Sequence, residues 1–215
     1  MRVVRTLPVT KVMNEPQKTH DLLLQIQAIL EANKHEVLKA LLPQMTLRDL
    51  QGIEEEIDGV EHMAFILSPE VSLDALDRLL CQVGFPDNHK TMPSAVLAKE
   101  LGALLGKEEV ATTIFKAWGV NKRREKIGVE IFIPKEHPEV VQQWISQGIG
   151  SHLALRVKSE EAIAKIQEIM KSYKIEIPKF MNHKPMKNAV EKSTVLYFDL
   201  KGQNHNFRLE FYYKA

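Results

Sequence analysis

VEHMAFIL, at residues 60–67, occurs a second time in altered form as GSHLALRV, at residues 150–157. Each copy has a histidine near its start, an alanine two positions later, and aliphatic residues at alternating positions. This alternation predicts a β-strand, because neighbouring side chains of a strand point to opposite faces. Two matching histidine strands raise the question of whether the sequence that follows each of them is duplicated as well.

The elements after the two histidine strands match in kind and order. Amphipathic helices are predicted at 72–83 and 159–173, with Ser72 and Ser159 as N-caps. The stretches NHKTMPSAV at 88–96 and NHKPMKNAV at 182–190 then correspond closely. Further strands are predicted at 112–118 and 126–133 in the first copy, and at 193–200 and 206–213 in the second. We therefore predict an α+β fold with two tandem βαβββ modules.

The repeat predicts three segments of the chain. Residues 1–58 form an N-terminal helical extension, residues 59–135 a first module with a helical insertion, and residues 136–215 a connector helix with the second module. Helical patterns occur in the extension at 16–33, 36–42 and 46–56. Packing on the modules and a homodimer contact are both open roles for it. The insertion at 94–105 fits a lid or a surface helix equally well.

Four residues occupy equivalent places in the copies, namely His62, Glu130, His152 and Glu210. Each glutamate lies opposite an apolar row of its strand, so it is predicted to point away from the helices that pack on the sheet. If the sheets curve toward each other, the four side chains converge. Imidazoles and carboxylates together suit Zn, Ni, Fe or Mn. The alternative is hydrogen-bonded core histidines with solvated acids, and duplication in matching register favours the metal.

These residues resemble the vicinal oxygen chelate superfamily, which includes glyoxalase I, methylmalonyl-CoA epimerase, extradiol dioxygenases and bleomycin-resistance proteins. The resemblance extends over residues 60–213 and rests on the histidine of each first strand and the glutamate of each last strand. It implies a curved mixed sheet around a divalent metal ion. It also implies a small-molecule substrate that binds the ion through two adjacent oxygens.

Three functions are compatible with this resemblance. The leading hypothesis is an enzyme, a metal-dependent lyase or isomerase of the glyoxalase type, which works through an enediolate with Glu130 or Glu210 as the base. An iron-dependent dioxygenase that uses His62, His152 and Glu210 is the second. A non-catalytic small-molecule-binding protein of the bleomycin-resistance type is the third. Retention of all four ligands speaks against the third hypothesis.

Four further residues are candidates for substrate binding. Arg156 and Arg208 share their strand faces with His152 and Glu210, so each is expected either to bind an anionic substrate group or to form a structural salt bridge. His89 and His183 stand in the repeated Asn-His-Lys sequence. Proton transfer and a structural role in a turn are both open for these two histidines.

Composition narrows the classes of partner. The 215 residues carry a formal net charge of +1, which argues against nucleic acid. No apolar run is long enough to span a bilayer and no signal peptide is recognised, so no membrane partner is predicted and the cytoplasm is the expected compartment. The single cysteine, Cys81, lies in an apolar helical pattern and is expected to be buried.

Overall fold

A computed structural model of the chain describes residues 33–86, 89–120, 124–178, 185–188, 192–201 and 206–215. Helices and strands are mixed along these residues, so the predicted α+β class is confirmed. The described residues divide into two compact units. The first unit comprises residues 63–151, and the second comprises residues 33–62 together with 152–215. The segment boundaries drawn from the sequence, after residues 58 and 135, stay a prediction.

The described residues form six helices and eight strands. The helices are α1 (Lys34–Leu41), α2 (Leu47–Glu55), α3 (Leu73–Gln82), α4 (Ala95–Leu105), α5 (Pro138–Ser146) and α6 (Glu160–Ser172). The strands are β1 (Ile57–Ile66), β2 (Lys90–Pro93), β3 (Thr112–Val120), β4 (Lys126–Pro134), β5 (His152–Val157), β6 (Met186–Asn188), β7 (Ser193–Lys201) and β8 (Asn206–Lys214). The helix predicted at 16–33 lies outside the described residues, apart from its last residue. Of the helices described, none has the length and apolar character that a bilayer crossing requires.

The first unit contains the end of β1 and then α3, β2, α4, β3 and β4. Its strands are hydrogen-bonded in the order β1-β4-β3-β2. Just after β1, the amide of Leu67 donates to the carbonyl of Phe132 at 2.9 Å. Strands β3 and β4 are antiparallel, and their register places Ile114 opposite Phe132 and Lys116 opposite Glu130. This register decides which side chains share a face with Glu130.

The helical insertion belongs to the core of the first unit. A buried apolar cluster joins β3 and β4 to α4 and α5, and its members include Ile114, Phe132, Leu97, Leu101 and Trp144. Phe132 lies two residues after Glu130 on the same face of β4. The prediction that this face is free of helices is therefore wrong for the first unit, because the insertion supplies a helical layer there. The opposite face, with Val129 and Ile131, is buried as well.

The second unit repeats the connectivity of the first. It contains β5, α6, β6, β7 and β8. The strands are hydrogen-bonded in the order β5-β8-β7-β6, so in both units the first strand pairs with the last. Strand β5 is parallel to β8, whereas β7 is antiparallel to both of its neighbours. Helix α6 packs on β5 and β8 through a buried stripe that includes Ile163 and Ile166. The duplicated βαβββ arrangement is confirmed.

The helices α1 and α2 pack within the second unit. Gly52 of α2 faces Ile169 of α6, where a Cβ on the glycine would lie 3.5 Å from Cδ1 of the isoleucine. Thr46 caps the N-terminus of α2 and accepts from the amide of Asp49 at 3.2 Å. The hydroxyl of Tyr173, at the end of α6, donates to the Asp49 carboxylate at 2.5 Å. The described part of the N-terminal extension therefore packs on the second module.

Candidate metal centre

Two histidines and one glutamate meet within the second unit. His62 lies in β1, His152 is the first residue of β5, and Glu210 lies in the middle of β8. The alternation of β8 buries Leu209 and Phe211 on the opposite face, which leaves Glu210 on the face it shares with His152. Ala154 is directly opposite Glu210 in the parallel pair of β5 and β8. A small side chain at that position leaves room beside the carboxylate.

The three side chains bring one nitrogen or oxygen atom each to a common point. Nε2 of His62 lies 3.1 Å from Nε2 of His152, and Oε2 of Glu210 lies 3.1 Å from His152 Nε2 and 3.6 Å from His62 Nε2. The side chains are 12%, 8% and 4% exposed for His62, His152 and Glu210. Ligand atoms bound at about 2.1 Å to a tetrahedral or octahedral divalent ion are roughly 3.0–3.4 Å apart. Two of the three observed distances lie in that range, and the third, 3.6 Å between His62 Nε2 and Glu210 Oε2, is slightly longer.

The donor set also fits a cation on chemical grounds. Oε2 of Glu210 is buried and makes no hydrogen bond of acceptable geometry among the described residues. A buried carboxylate is costly unless a positive charge or a metal compensates it. Neutral imidazole nitrogens and a carboxylate oxygen each bind a metal through a lone pair, so a divalent metal ion at this point would satisfy Nε2 of His62, Nε2 of His152 and Oε2 of Glu210 together.

The charge state of Glu210 follows from its neighbours. Burial alone would raise the pKa of this carboxyl, because a low-dielectric environment disfavours the anion. The adjacent imidazoles of His62 and His152 outweigh burial and hold the pKa of Glu210 far below its usual range. Glu210 is thus a carboxylate anion at neutral pH, which is the form that ligates a metal.

Tyr197 is a residue of this centre that the sequence analysis does not single out. It lies on β7 directly opposite Glu210. Its ring meets the His152 ring edge-on, with the centroids 6.0 Å apart. Strand parity alone places Tyr197 on one face of β7, but its position beside Glu210 depends on the register of β7 with β8, which the sequence does not specify.

Both predicted arginines form ion pairs in the second unit. Arg208 Nε donates to Oδ1 of Asp199 at 2.9 Å, and its guanidinium carbon lies 5.6 Å from the centroid of the Tyr197 ring. Arg156 Nη1 lies 3.1 Å from Oε2 of Glu61. The salt-bridge role left open for each arginine is therefore present. Substrate binding by Arg156 and Arg208 stays a prediction.

The structure describes two of the three remaining predicted site residues. Glu130 lies in the first unit, where its Oε1 is 2.6 Å from Nζ of Lys116 across the β3–β4 pair. Its roles as the fourth ligand and as the base stay predictions. His89 also lies in the first unit and contacts Asp77. His183 lies outside the described residues.

The comparisons with known proteins identify similar structures only. No family model and no curated protein matches the chain. Similar solved structures include methylmalonyl-CoA epimerase from Streptomyces coelicolor, at 13% identity and a TM-score of 0.45, over 74% of this chain and 99% of that chain. The epimerase from Mycobacterium tuberculosis has 12% identity and a TM-score of 0.45, and the match covers 74% of this chain and 89% of that chain. A mutant of 4-hydroxymandelate synthase from Streptomyces coelicolor has 11% identity and a TM-score of 0.49, and the match covers 73% of this chain and 48% of that chain.

These proteins are members of the vicinal oxygen chelate superfamily. The two βαβββ units of this chain have the connectivity that the resemblance drawn from the repeated histidine strands implies. At identities of 11–13% and TM-scores below 0.5 the comparison conveys no activity for this chain, because one fold carries many activities.

Proposed function

We propose that the chain is a metal-dependent lyase or isomerase of the glyoxalase type, which acts on a small substrate with two adjacent oxygens. The observation that carries this proposal is the convergence of His62 Nε2, His152 Nε2 and Glu210 Oε2 in the second unit. When bound there, a divalent metal ion supplies Lewis-acid stabilisation of the negative charge that develops on a substrate oxygen.

The protein side chains have defined tasks in this proposal. His62, His152 and Glu210 hold the ion, and a set of three protein ligands leaves coordination positions for two substrate oxygens. Burial of all three keeps water from diluting the electrostatic interaction. A base must also remove a proton from the carbon next to the substrate oxygen. Glu130, the second glutamate of the repeat, is our candidate for this base.

The first experiment is elemental analysis of protein purified without chelator. We expect His152→Ala and Glu210→Ala to lose one equivalent of metal that the wild type and Glu168→Ala retain. Glu168 is the matched control, since it is a glutamate of the same unit with a side chain that is 75% exposed. Retention of the metal in both ligand variants would contradict the proposed centre.

The second experiment tests the reaction class. Metal-loaded protein is incubated in D2O with a panel of 2-hydroxy ketones and hemithioacetals of methylglyoxal, and NMR follows exchange of the proton next to the carbonyl. We expect metal-dependent exchange for at least one probe and its loss in Glu210→Ala. A protein that binds metal but exchanges no probe proton while it consumes oxygen would reject the lyase or isomerase in favour of the alternative.

That alternative is an iron-dependent dioxygenase. The composition of the triad favours it, because two imidazoles and one carboxylate are typical of non-haem Fe(II) oxygenases. The test loads the protein with Fe(II) under argon, adds a panel of catechols and records oxygen uptake after air is admitted. Uptake with the wild type that is absent from His62→Ala supports this function, and no uptake with any catechol counts against it.

A further inference from the structure

A second cluster of metal-binding side chains lies in the first unit. It consists of Asp77 and Cys81 on α3 and His89 just before β2, and one ligand atom from each lies within 4.8 Å of the other two. Asp77 and Cys81 are four residues apart, so they lie one above the other on the same face of the helix. We propose that Asp77, Cys81 and His89 form a binding site for a zinc ion.

The orientation of His89 supports this proposal. Its Nε2 lies 3.1 Å from the carbonyl oxygen of Phe85. A carbonyl oxygen only accepts, so Nε2 carries the proton and donates it. The ring is 10% exposed and rests against Phe115, with the centroids 5.1 Å apart. Metal-binding histidines typically donate their second ring N–H to a backbone carbonyl or a carboxylate in this way.

The other ring nitrogen is directed to the candidate site. Nδ1 of His89 contacts Oδ1 of Asp77. If His89 is neutral, the proton on Nε2 leaves Nδ1 with a lone pair that faces a carboxylate. Two arrangements relieve that repulsion, either a second proton on the imidazole or a metal ion bound by both groups. The nearby thiol of Cys81 is a third donor that a simple ion pair leaves unused.

The same proton position argues against a nucleophilic cysteine. In a Cys-His-Asp catalytic set, the acid orients one ring nitrogen and the other nitrogen accepts the thiol proton. Here Asp77 does contact one nitrogen of His89, but the carbonyl of Phe85 engages the other. His89 therefore has no nitrogen available as a base for Cys81. The cluster has the donors of a metal site and lacks the arrangement of a catalytic triad.

The donor types select the metal. Thiolate, imidazole and carboxylate together suit zinc, whereas calcium and magnesium take oxygen ligands. Bonds of about 2.0–2.3 Å to tetrahedral zinc place ligand atoms roughly 3.2–3.8 Å apart, so Asp77 Oδ1 and His89 Nδ1, which are in direct contact, must separate to admit the ion, and Cys81 must stay within reach of both. The side chain of Asp77 is half exposed and Cys81 is exposed, so rotation about their χ angles supplies this movement. Zinc binding releases the thiol proton of Cys81 to solvent.

Cobalt replaces zinc as the spectroscopic probe. Cys81 is the only cysteine of the chain, so a thiolate-to-cobalt charge-transfer band can come from no other residue. Titration of the full chain with Co²⁺ is expected to give this band in the wild type and in His152→Ala. Cys81→Ser should abolish it. Asp77→Asn and His89→Gln should weaken Co²⁺ binding by at least about tenfold, and Asp74→Asn, an exposed acid of the same helix, should match the wild type.

Alkylation of Cys81 gives an independent measurement. Zinc is expected to slow the reaction of wild-type Cys81 with iodoacetamide by at least about tenfold, and to have no such effect in Asp77→Asn. Both positions are on the surface, so the variants test ligation with little risk to folding. The proposal is overturned if no charge-transfer band forms, if His89→Gln and Asp77→Asn leave the band at wild-type affinity, or if zinc does not change the alkylation rate. Persistence of the band in His152→Ala separates this site from the proposed catalytic centre.

Discussion

Replacement of Glu210 by glutamine is the sharpest test of the metal centre. The substitution keeps the size of the side chain and removes its negative charge, so the strand β8 and its packing are preserved. Loss of a residue that only hydrogen-bonds to a metal ligand already weakens metal binding by about 10–100-fold. Glu210 Oε2 is itself one of the three convergent atoms, so we expect Glu210→Gln to weaken zinc binding by at least about 100-fold.

That change converts into a shift of the melting temperature. At a free zinc concentration of about 100 times the dissociation constant, the wild type gains about 2.7 kcal/mol, whereas a 100-fold weaker variant gains about 0.4 kcal/mol. A domain of this size shifts its Tm by about 2–4 °C per kcal/mol. Zinc should therefore raise the Tm by about 5–11 °C in the wild type and by about 1–2 °C in Glu210→Gln.

The assay is thermal unfolding followed by circular dichroism, with and without zinc. All proteins carry Cys81→Ser, so that the proposed second site does not contribute to the shift. Glu168→Gln, on the exposed side of α6, is the control and should respond to zinc like the wild type. An equal zinc-induced shift in Glu210→Gln and in the control would refute the assignment of Glu210 as a ligand.

Three further predictions concern other parts of the chain. The hydrogen bond from the Tyr173 hydroxyl lowers the pKa of Asp49 more than any other interaction, so Tyr173→Phe should raise that pKa in an NMR titration. A carboxyl with a lowered pKa in the folded state stabilises the fold at pH values above its unfolded-state pKa of about 3.9, and this stabilisation is lost as the pH falls. The stability difference between wild type and Tyr173→Phe should therefore shrink in acid. Gly150→Ala should lower the free energy of unfolding in urea by about 1–3 kcal/mol, because φ of Gly150 is +74° and a Cβ would lie 2.7 Å from an isoleucine side chain. Gly106→Ala is the control and should cost less, because φ is +66° there but a Cβ would meet nothing within 4 Å. In a Cys81→Ser background, Glu130→Gln should retain one equivalent of metal by elemental analysis, since three ligand atoms already converge without it. Loss of the metal would instead support Glu130 as the fourth ligand.

The repeat carries most of what the sequence could predict. Alternation in 60–67 and 150–157 places His62 and His152 in first strands, and alternation in β8 places Glu210 on the face opposite Leu209. These are local properties of a strand, and a period of two residues determines them. Matching copies then supply the topology, because duplicated segments fold alike. The predicted convergence of the ligands follows from these two facts together with the assumption that the sheets curve toward each other.

The remaining features depend on contacts between distant segments. The Lys116–Glu130 pair requires the register of β3 and β4, and the helical layer over Phe132 requires the position of the insertion. The prediction that Cys81 is buried is wrong for a simpler reason. The buried stripe of α3 runs through Leu76 and Leu80, and the next residue is turned about 100° away from it. An apolar neighbourhood in sequence did not distinguish these two faces.

The second unit is built from two stretches of chain, and this has a consequence for its assembly. His62 and His152 are 90 residues apart, and Glu210 lies near the end of the chain. Helix α2 packs on α6, so this part of the second unit can form only after α6 has been made, and the convergence of the three ligand atoms requires β8 as well. A fragment cut at the module boundary and carrying residues 136–215 would lack His62 and helix α2, which packs on α6. Division of the protein at its sequence repeat therefore removes one of the three convergent side chains of the candidate metal site.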